Sequence, residues 1–157
     1  MGKVIADYSG SIFHPKLRAA DINTATEHLQ QYDFDAIAVR GVSGLTRGSI
    51  LAHLMCKGLI VVRKDEGRHS IHEVEGTVIR PGGHWIIVDD FVMTGATVAA
   101  ILNQVVKADF GATIYNCLGV YCTSWGYLKE LDHLSRIHSA IWSALTKLEE
   151  IHERCWR

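Results

Sequence analysis

An α/β fold, a parallel sheet flanked by helices, is what the sequence predicts, and three observations carry it. Continuous apolar runs at 59–62 (LIVV) and 86–88 (IIV) have the β-branched content of strands buried on both faces, and 34–39 (FDAIAV) reads as a further strand. Stretches of helical periodicity lie between them, the alternation of a parallel sheet with right-handed crossovers. Each run ends in polar residues, Arg40, Arg63-Lys64 and Asp89-Asp90, at the carboxyl strand ends where such sheets bind ligands.

Taken in order, 21–31 (DINTATEHLQQ) opens on Asp21 as an N-capping residue and spaces Ile22, Ala25 and Leu29 on one helical face. Strand 34–39 follows, then a glycine-bearing turn at 40–44 (RGVSG) and a helix at 46–57 through Ile50, Leu51, Leu54 and Met55. After strand 59–62, the segment 65–76 (DEGRHSIHEVEG) has no core face and reads as an exposed loop or ribbon. Residues 77–80 are weakly strand-like, and Pro81-Gly82-Gly83 is a turn. The pair 85–102 (WIIVDDFVMTGATVAAIL) is strand then helix, and 113–122 (TIYNCLGVYC) is another strand. From Leu128 to Ile151 leucines and isoleucines recur at spacings of three and four, a long amphipathic helix with a break near Ser139. That stripe fits either a helix covering the core or one that forms a dimer.

The 157 residues fit a single domain (1–157), with its core at about 21–122 and the helical segment at about 126–154. Hydrophobic content of 48% and a net charge of −1 describe an ordinary soluble globular protein. They give no electrostatic case for nucleic acid or an anionic membrane as partner. Neither a membrane-spanning run nor a secretory signal is expected, and Ala6 argues against reading Met1-Gly2 as an acylation start. Cys56, Cys117, Cys122 and Cys155 match no zinc or redox spacing and read as buried, reduced thiols of a cytoplasmic protein. His69 and His72 form an H-x-x-H pair without an acid or thiol to complete a zinc set.

The chemistry concentrates in 85–102. Thr94, Gly95, Ala96 and Thr97 put hydroxyls, small side chains and free backbone N–H groups where a helix starts. Converging donors and the positive end of a helix dipole hold a phosphate. Asp89 and Asp90, just upstream, would repel that phosphate and are suited to sugar hydroxyls or a metal ion. A sugar phosphate satisfies both halves. RGVSGLTRG at 40–48 lacks the spacing of a Walker loop, yet the amides of Gly41 to Gly44 could form a small anion nest.

An apolar strand, two acids, three residues and then Thr-Gly-x-Thr resembles the signature of the type I phosphoribosyltransferases, and the resemblance spans roughly 34–120. It implies that Thr94, Gly95, Ala96 and Thr97 hold the 5′-phosphate of phosphoribosyl pyrophosphate (PRPP), and that Asp89 and Asp90 hold the ribose hydroxyls. Arg40, Gly41, Val42, Ser43 and Gly44 stand where the family's pyrophosphate loop follows the first core strand. The stretch 62–76 (VRKDEGRHSIHEVEG) is similar to the strand end and mobile loop of the orotate phosphoribosyltransferases. Arg63-Lys64 matches its Arg-Lys pair, His69 its histidine and Glu75-Gly76 its close, while Gly67 falls where the loop lysine stands and Arg68 would supply the cation.

The resemblance implies Mg²⁺-dependent transfer of a 5-phosphoribosyl group to a base, most similar to orotate or another pyrimidine, with a purine second. Breaking the C1′–pyrophosphate bond places positive charge on the ribose and negative charge on the leaving group. Mg²⁺ held mainly by the substrate, near Asp89 and Asp90, and the cations Arg63, Lys64, Arg68 and His69 would stabilise it and exclude water. A hood from terminal segments is expected to select the base. Its candidates are 8–14 and 121–127 (YCTSWGY), in which Phe13, Tyr121 or Trp125 could stack on a base or simply pack. The competing reading is a sensor that binds PRPP or a nucleotide without turnover. A cytoplasmic homodimer is expected, as in family members whose loop reaches a neighbouring subunit.

Overall fold

The computed structural model describes residues 13–64 and 72–155. Eleven elements follow in order: α1 (Pro15–Leu29), β1 (Ala36–Arg40), α2 (Gly41–Leu54), β2 (Gly58–Val62), β3 (Val74–Gly76), β4 (Trp85–Asp89), α3 (Ala96–Lys107), β5 (Cys117–Cys122), β6 (Tyr127–Lys129), α4 (Leu131–Ser135) and α5 (Ser139–Cys155). The sheet order is β3-β2-β1-β4-β5-β6. The four central strands are parallel, as the alternation with helices requires, but β3 and β6 pair antiparallel at the two edges. The sheet is therefore mixed. Both edge strands span three residues, too short for periodicity to reveal.

Alternation along the strands divides the core in two. On one face Ile37, Val39, Ile86, Val88 and Tyr121 meet α1 and α2 through Ile22, Leu29 and Leu51. On the other, Ala38, Ile60, Trp85, Ile87 and Val120 meet α3, α4 and α5 through Val98, Ile101, Leu134 and Ile141. Ile86, Ile87 and Val88 are fully buried, each contributing about 1.5–3 kcal/mol of apolar transfer. Trp85 anchors the lower end, its indole donating to Thr113 O at 3.0 Å and Asn116 Oδ1 at 2.9 Å.

Several expected boundaries move. Helix α1 begins at Pro15, whose fixed φ suits a first turn, so Asp21 lies mid-helix rather than at a cap. The 40–44 turn does not exist as a separate loop, since α2 starts at Gly41 directly after β1. Residues 77–80 are not a strand; the pairing falls at Val74–Gly76 instead. In 113–122 only Cys117–Cys122 is strand, because Asn116 Oδ1 accepts from Thr113 N at 2.7 Å and ties the preceding residues into a turn. Leu128 belongs to β6, where its amide donates to His28 Nε2 of α1 at 2.8 Å. The C-terminal helix breaks at 136–138, and the stripe of Ile141, Ala144 and Leu148 is buried against its own core.

Candidate active site

The strand register puts the site residues on one edge. Arg40 pairs with Val62, and Asp89 pairs with Cys122, so the carboxyl ends of β2, β1, β4 and β5 align. Helices α2 and α3 begin there, and neither N-terminus has a side-chain cap. Their amides and dipoles are left for an anion.

Asp89, Asp90 and the segment through Val98 line a pocket of ≈ 200 Å³. Asp89 is 4% exposed. Its Oδ1 accepts from the Asp90 amide at 2.9 Å, and Asp90 Oδ1 accepts from the Phe91 amide at 3.0 Å. The backbone of both acids is held from β5: Thr123 N donates to Asp89 O at 3.1 Å, Ser124 N to Asp90 O at 3.2 Å, and Cys122 Sγ to Asp90 O at 3.1 Å. Burial pushes the Asp89 carboxyl from 3.8 up to about 7; the Asp90 carboxyl adds to the rise, and the Asp90 amide and Arg47 oppose it. Burial also raises the Cys122 thiol, against the pull of its Ser124 hydrogen bonds.

Thr94 and Ala96 are exposed, Thr97 half-buried, and Gly95 buried in the left-handed conformation with φ 80. Among the described residues the amides of Gly95, Thr97 and Val98 make no backbone hydrogen bond; the Ala99 amide is the first of α3 to bond back, to Gly95 O at 2.9 Å. Arg40 is extended, and Gly41 takes φ 75 so that α2 can start without a loop. Gly44 packs against the end of β4, where an added Cβ would stand 3.4 Å from Val88 O. Val42 is 80% exposed and Ser43 half-buried. Lys64, beyond β2, folds over Gly41: a Cβ there would lie 3.2 Å from its Nζ. The start of the expected mobile loop is thus in contact with the expected pyrophosphate segment.

Arg63 stands apart from that contact, its guanidinium donating to Glu75 Oε2 of β3 at 2.6 Å. Arg68 and His69 lie outside the described residues, as does 8–12 of the expected hood. Tyr121 cannot stack on a base: it is 2% exposed and packs beside His28. Trp125 presents a ring face to Lys129 Nζ, 3.9 Å from its centroid. Phe13 is exposed before α1.

Arg47 was not singled out as a site residue. It is buried on α2, with Nη2 3.9 Å from Asp21 Oδ2, and its charge bears on Asp89. The signal was present in the sequence: Arg47 sits three residues after Gly44 and four before Leu51, on the buried face. A cation in an apolar stripe is kept for a partner.

No protein-family model matches the chain. Over 122 residues, 68% of this chain and 71% of the other, it is 30% identical to an adenine phosphoribosyltransferase of Fervidobacterium nodosum. In solved structures its fold matches an adenine phosphoribosyltransferase of Thermoanaerobacter pseudethanolicus (TM-score 0.57, 21% identity, 74% of this chain and 73% of that one). It matches an orotate phosphoribosyltransferase of Aeropyrum pernix similarly (TM-score 0.56, 19% identity, 74% and 63%). The fold and the sequence relative together define an α/β protein of the phosphoribosyltransferase class. The chain belongs to the type I phosphoribosyltransferase family: it is an enzyme that transfers a phosphoribosyl group from PRPP to a nucleobase. Membership in an enzyme family sets the sensor reading aside.

Proposed function

We propose that the acceptor base is adenine and the product its nucleoside 5′-monophosphate. The identity to a relative named for adenine supports this over the pyrimidine expected from the loop. Charge supports it too. Orotate carries a carboxylate that asks for a cation, whereas adenine carries none. Near the strand ends Arg63 is already held by Glu75, and Lys129 lies over the Trp125 and Tyr127 rings.

The observation that carries the site assignment is the buried Asp89 beside the uncapped start of α3. Thr94, Gly95, Ala96 and Thr97 bind the 5′-phosphate, and Asp89 with Asp90 accepts from the ribose hydroxyls. Arg40 through Gly44, with Lys64, faces the pyrophosphate. The α2 dipole and the Lys64 ammonium stabilise charge on that leaving group as C1′ separates from it. Mg²⁺, bound with PRPP, supplies further charge neutralisation. Two adjacent carboxylates, Asp89 and Asp90, are too few to hold the ion alone and fit one held mainly by substrate oxygens. In this reading Arg68 and His69 serve the leaving group while Arg63 stays paired with Glu75, and the single domain works as a cytoplasmic homodimer, with Ile137 and Trp142 exposed for contact. No described helix is long and apolar enough to cross a membrane.

The test is a panel of adenine, hypoxanthine, guanine, orotate and uracil with PRPP and Mg²⁺, read by nucleotide formed. Adenine should be preferred by at least about tenfold in kcat/KM. Preference for orotate would overturn the base assignment while leaving the transfer intact.

A further inference from the structure

The start of α5 lies directly under the Thr94–Thr97 loop. A Cβ on Gly95 would stand 2.8 Å from Ile141 Cγ1, 3.1 Å from Ile141 Cδ1 and 2.9 Å from His138 Cβ. No side chain intervenes, so the loop backbone rests on these two residues. Ile141 is fully buried. His138 sits at the break between α4 and α5, its carbonyl accepting from the amides of Ile141 and Trp142, both at 3.1 Å.

A phosphate loop poses a particular structural problem. The amides that will bind phosphate must be left without protein acceptors, so hydrogen bonds cannot fix the loop before the ligand arrives. Among the described residues the amides of Gly95, Thr97 and Val98 have no backbone partner, and Ala96 N reaches only Thr94 Oγ1, at 3.3 Å. Shape must do what hydrogen bonding cannot. A displacement of about 1 Å in a positioning group costs up to about a hundredfold in rate, so a firm surface beneath Gly95 matters for function.

We infer that Ile141 and His138 are positioning residues for the 5′-phosphate loop, which makes the start of α5 part of the PRPP site without touching substrate. This rests on the assignment of Thr94–Thr97 to the 5′-phosphate. Ile141 Cγ1 is the nearest atom to Gly95, so Ile141→Ala removes the support, whereas Ile141→Val retains that atom. Leu148, two turns along α5 and buried in the same core, has no contact with Gly95. Leu148→Ala therefore makes a comparable cavity elsewhere.

Calorimetric titration of the full chain and these variants, with ribose 5-phosphate and separately with pyrophosphate, tests the inference. Ile141→Ala should weaken ribose 5-phosphate by roughly tenfold and leave pyrophosphate within about twofold, while Leu148→Ala, at a similar loss of Tm, leaves both within about twofold. Ile141→Val should recover most of the affinity, remaining about threefold weak; should the alanine variant not fold, the valine variant reads the effect alone. Unchanged ribose 5-phosphate binding in these variants, or equal weakening in Leu148→Ala, overturns the brace. A parallel loss of pyrophosphate overturns it too. If the native chain itself binds no ribose 5-phosphate, the loop assignment fails and the brace with it; native binding with an indifferent Ile141→Ala removes the brace alone.

Discussion

Lys64 lies across Gly41, its Cε 3.0 Å from where a Cβ on that glycine would stand. One contact therefore joins the end of β2 to the start of α2, two segments 23 positions apart in the chain, read from Lys64 minus Gly41. Gly41 is needed twice, for its φ of 75 and for the space it leaves to Lys64. Gly41→Ala should cost about 1–2 kcal/mol of backbone strain and push Lys64 aside. The expected result is a KM for PRPP raised by about tenfold or more, with a smaller effect on the KM for base. Steady-state kinetics with each substrate varied in turn checks it; a base KM that rises as much would contradict the assignment of Gly41 and Lys64 to pyrophosphate.

In its proposed role on the ribose, Asp89 should make PRPP binding pH-dependent. With its carboxyl raised to about 7, the ionised form that accepts from ribose hydroxyls is lost as pH falls through that value. PRPP affinity should fall with it, more steeply than in Asp89→Asn, whose remaining slope reports the ligand's own titration. Arg47 holds the Asp89 value down, so Arg47→Met should move the midpoint to higher pH. A midpoint that stays in place would show that Arg47 does not act on Asp89.

The same shift has a stability signature of opposite sense. Between 3.8 and about 7 the folded chain holds a proton on Asp89 that the unfolded chain has released. Stability contributed by this group is thus greatest below 3.8, declines as pH rises, and is fully lost above about 7. Asp89→Asn should accordingly gain Tm relative to the native chain at about pH 8 and gain less at about pH 5. Equal differences at the two pH values would mean that Asp89 is not raised by burial.

Asn116 should matter for stability and not for chemistry. Its Oδ1 accepts from Trp85 Nε1 and Thr113 N at 2.9 and 2.7 Å, at the opposite end of β4 from the acids. Asn116→Ala takes this acceptor from Thr113 N and leaves Trp85 Nε1 with Thr113 O alone, and should cost about 1–3 kcal/mol. Urea unfolding would show that loss, with kcat within about twofold of native at a temperature where both are folded.

What was legible in the sequence depended on how local its cause was. The β4–α3 unit could be read because strand, acids, turn and helix start are consecutive, so chain order alone brings Asp89 near Thr97. Arg40 and Lys64 could be placed on one edge because parallel strands put all their carboxyl ends together. Asp21 misled because an acid preceding an apolar helical pattern looks like a cap, whereas Pro15 starts α1 a turn and a half earlier. Tyr121 was open between stacking and packing, and burial under α1 decides it. The seat of Gly95 on Ile141 joins residues 46 positions apart, read from Ile141 minus Gly95. Nothing in local pattern announces such a contact. Of the wider apolar stripe, Leu131, Leu134, Ile141 and Leu148 are buried in the chain's own core while Ile137 and Ile151 are exposed, and Cys56 and Cys155, read from sequence as buried thiols, are exposed as well.

In the proposed reaction Asp89 and Asp90 hold the ribose of PRPP while C1′ passes from pyrophosphate, which is released, to a ring nitrogen of the nucleobase. Mixing native protein with PRPP, Mg²⁺ and adenine, and following nucleotide and pyrophosphate together, tests it most directly. Adenine-dependent formation of the two products in equal amounts is expected, lost by at least about a hundredfold in Asp89→Asn with Asp90→Asn, which stays folded. Full activity in that double variant, or pyrophosphate release that no base accelerates, would contradict it.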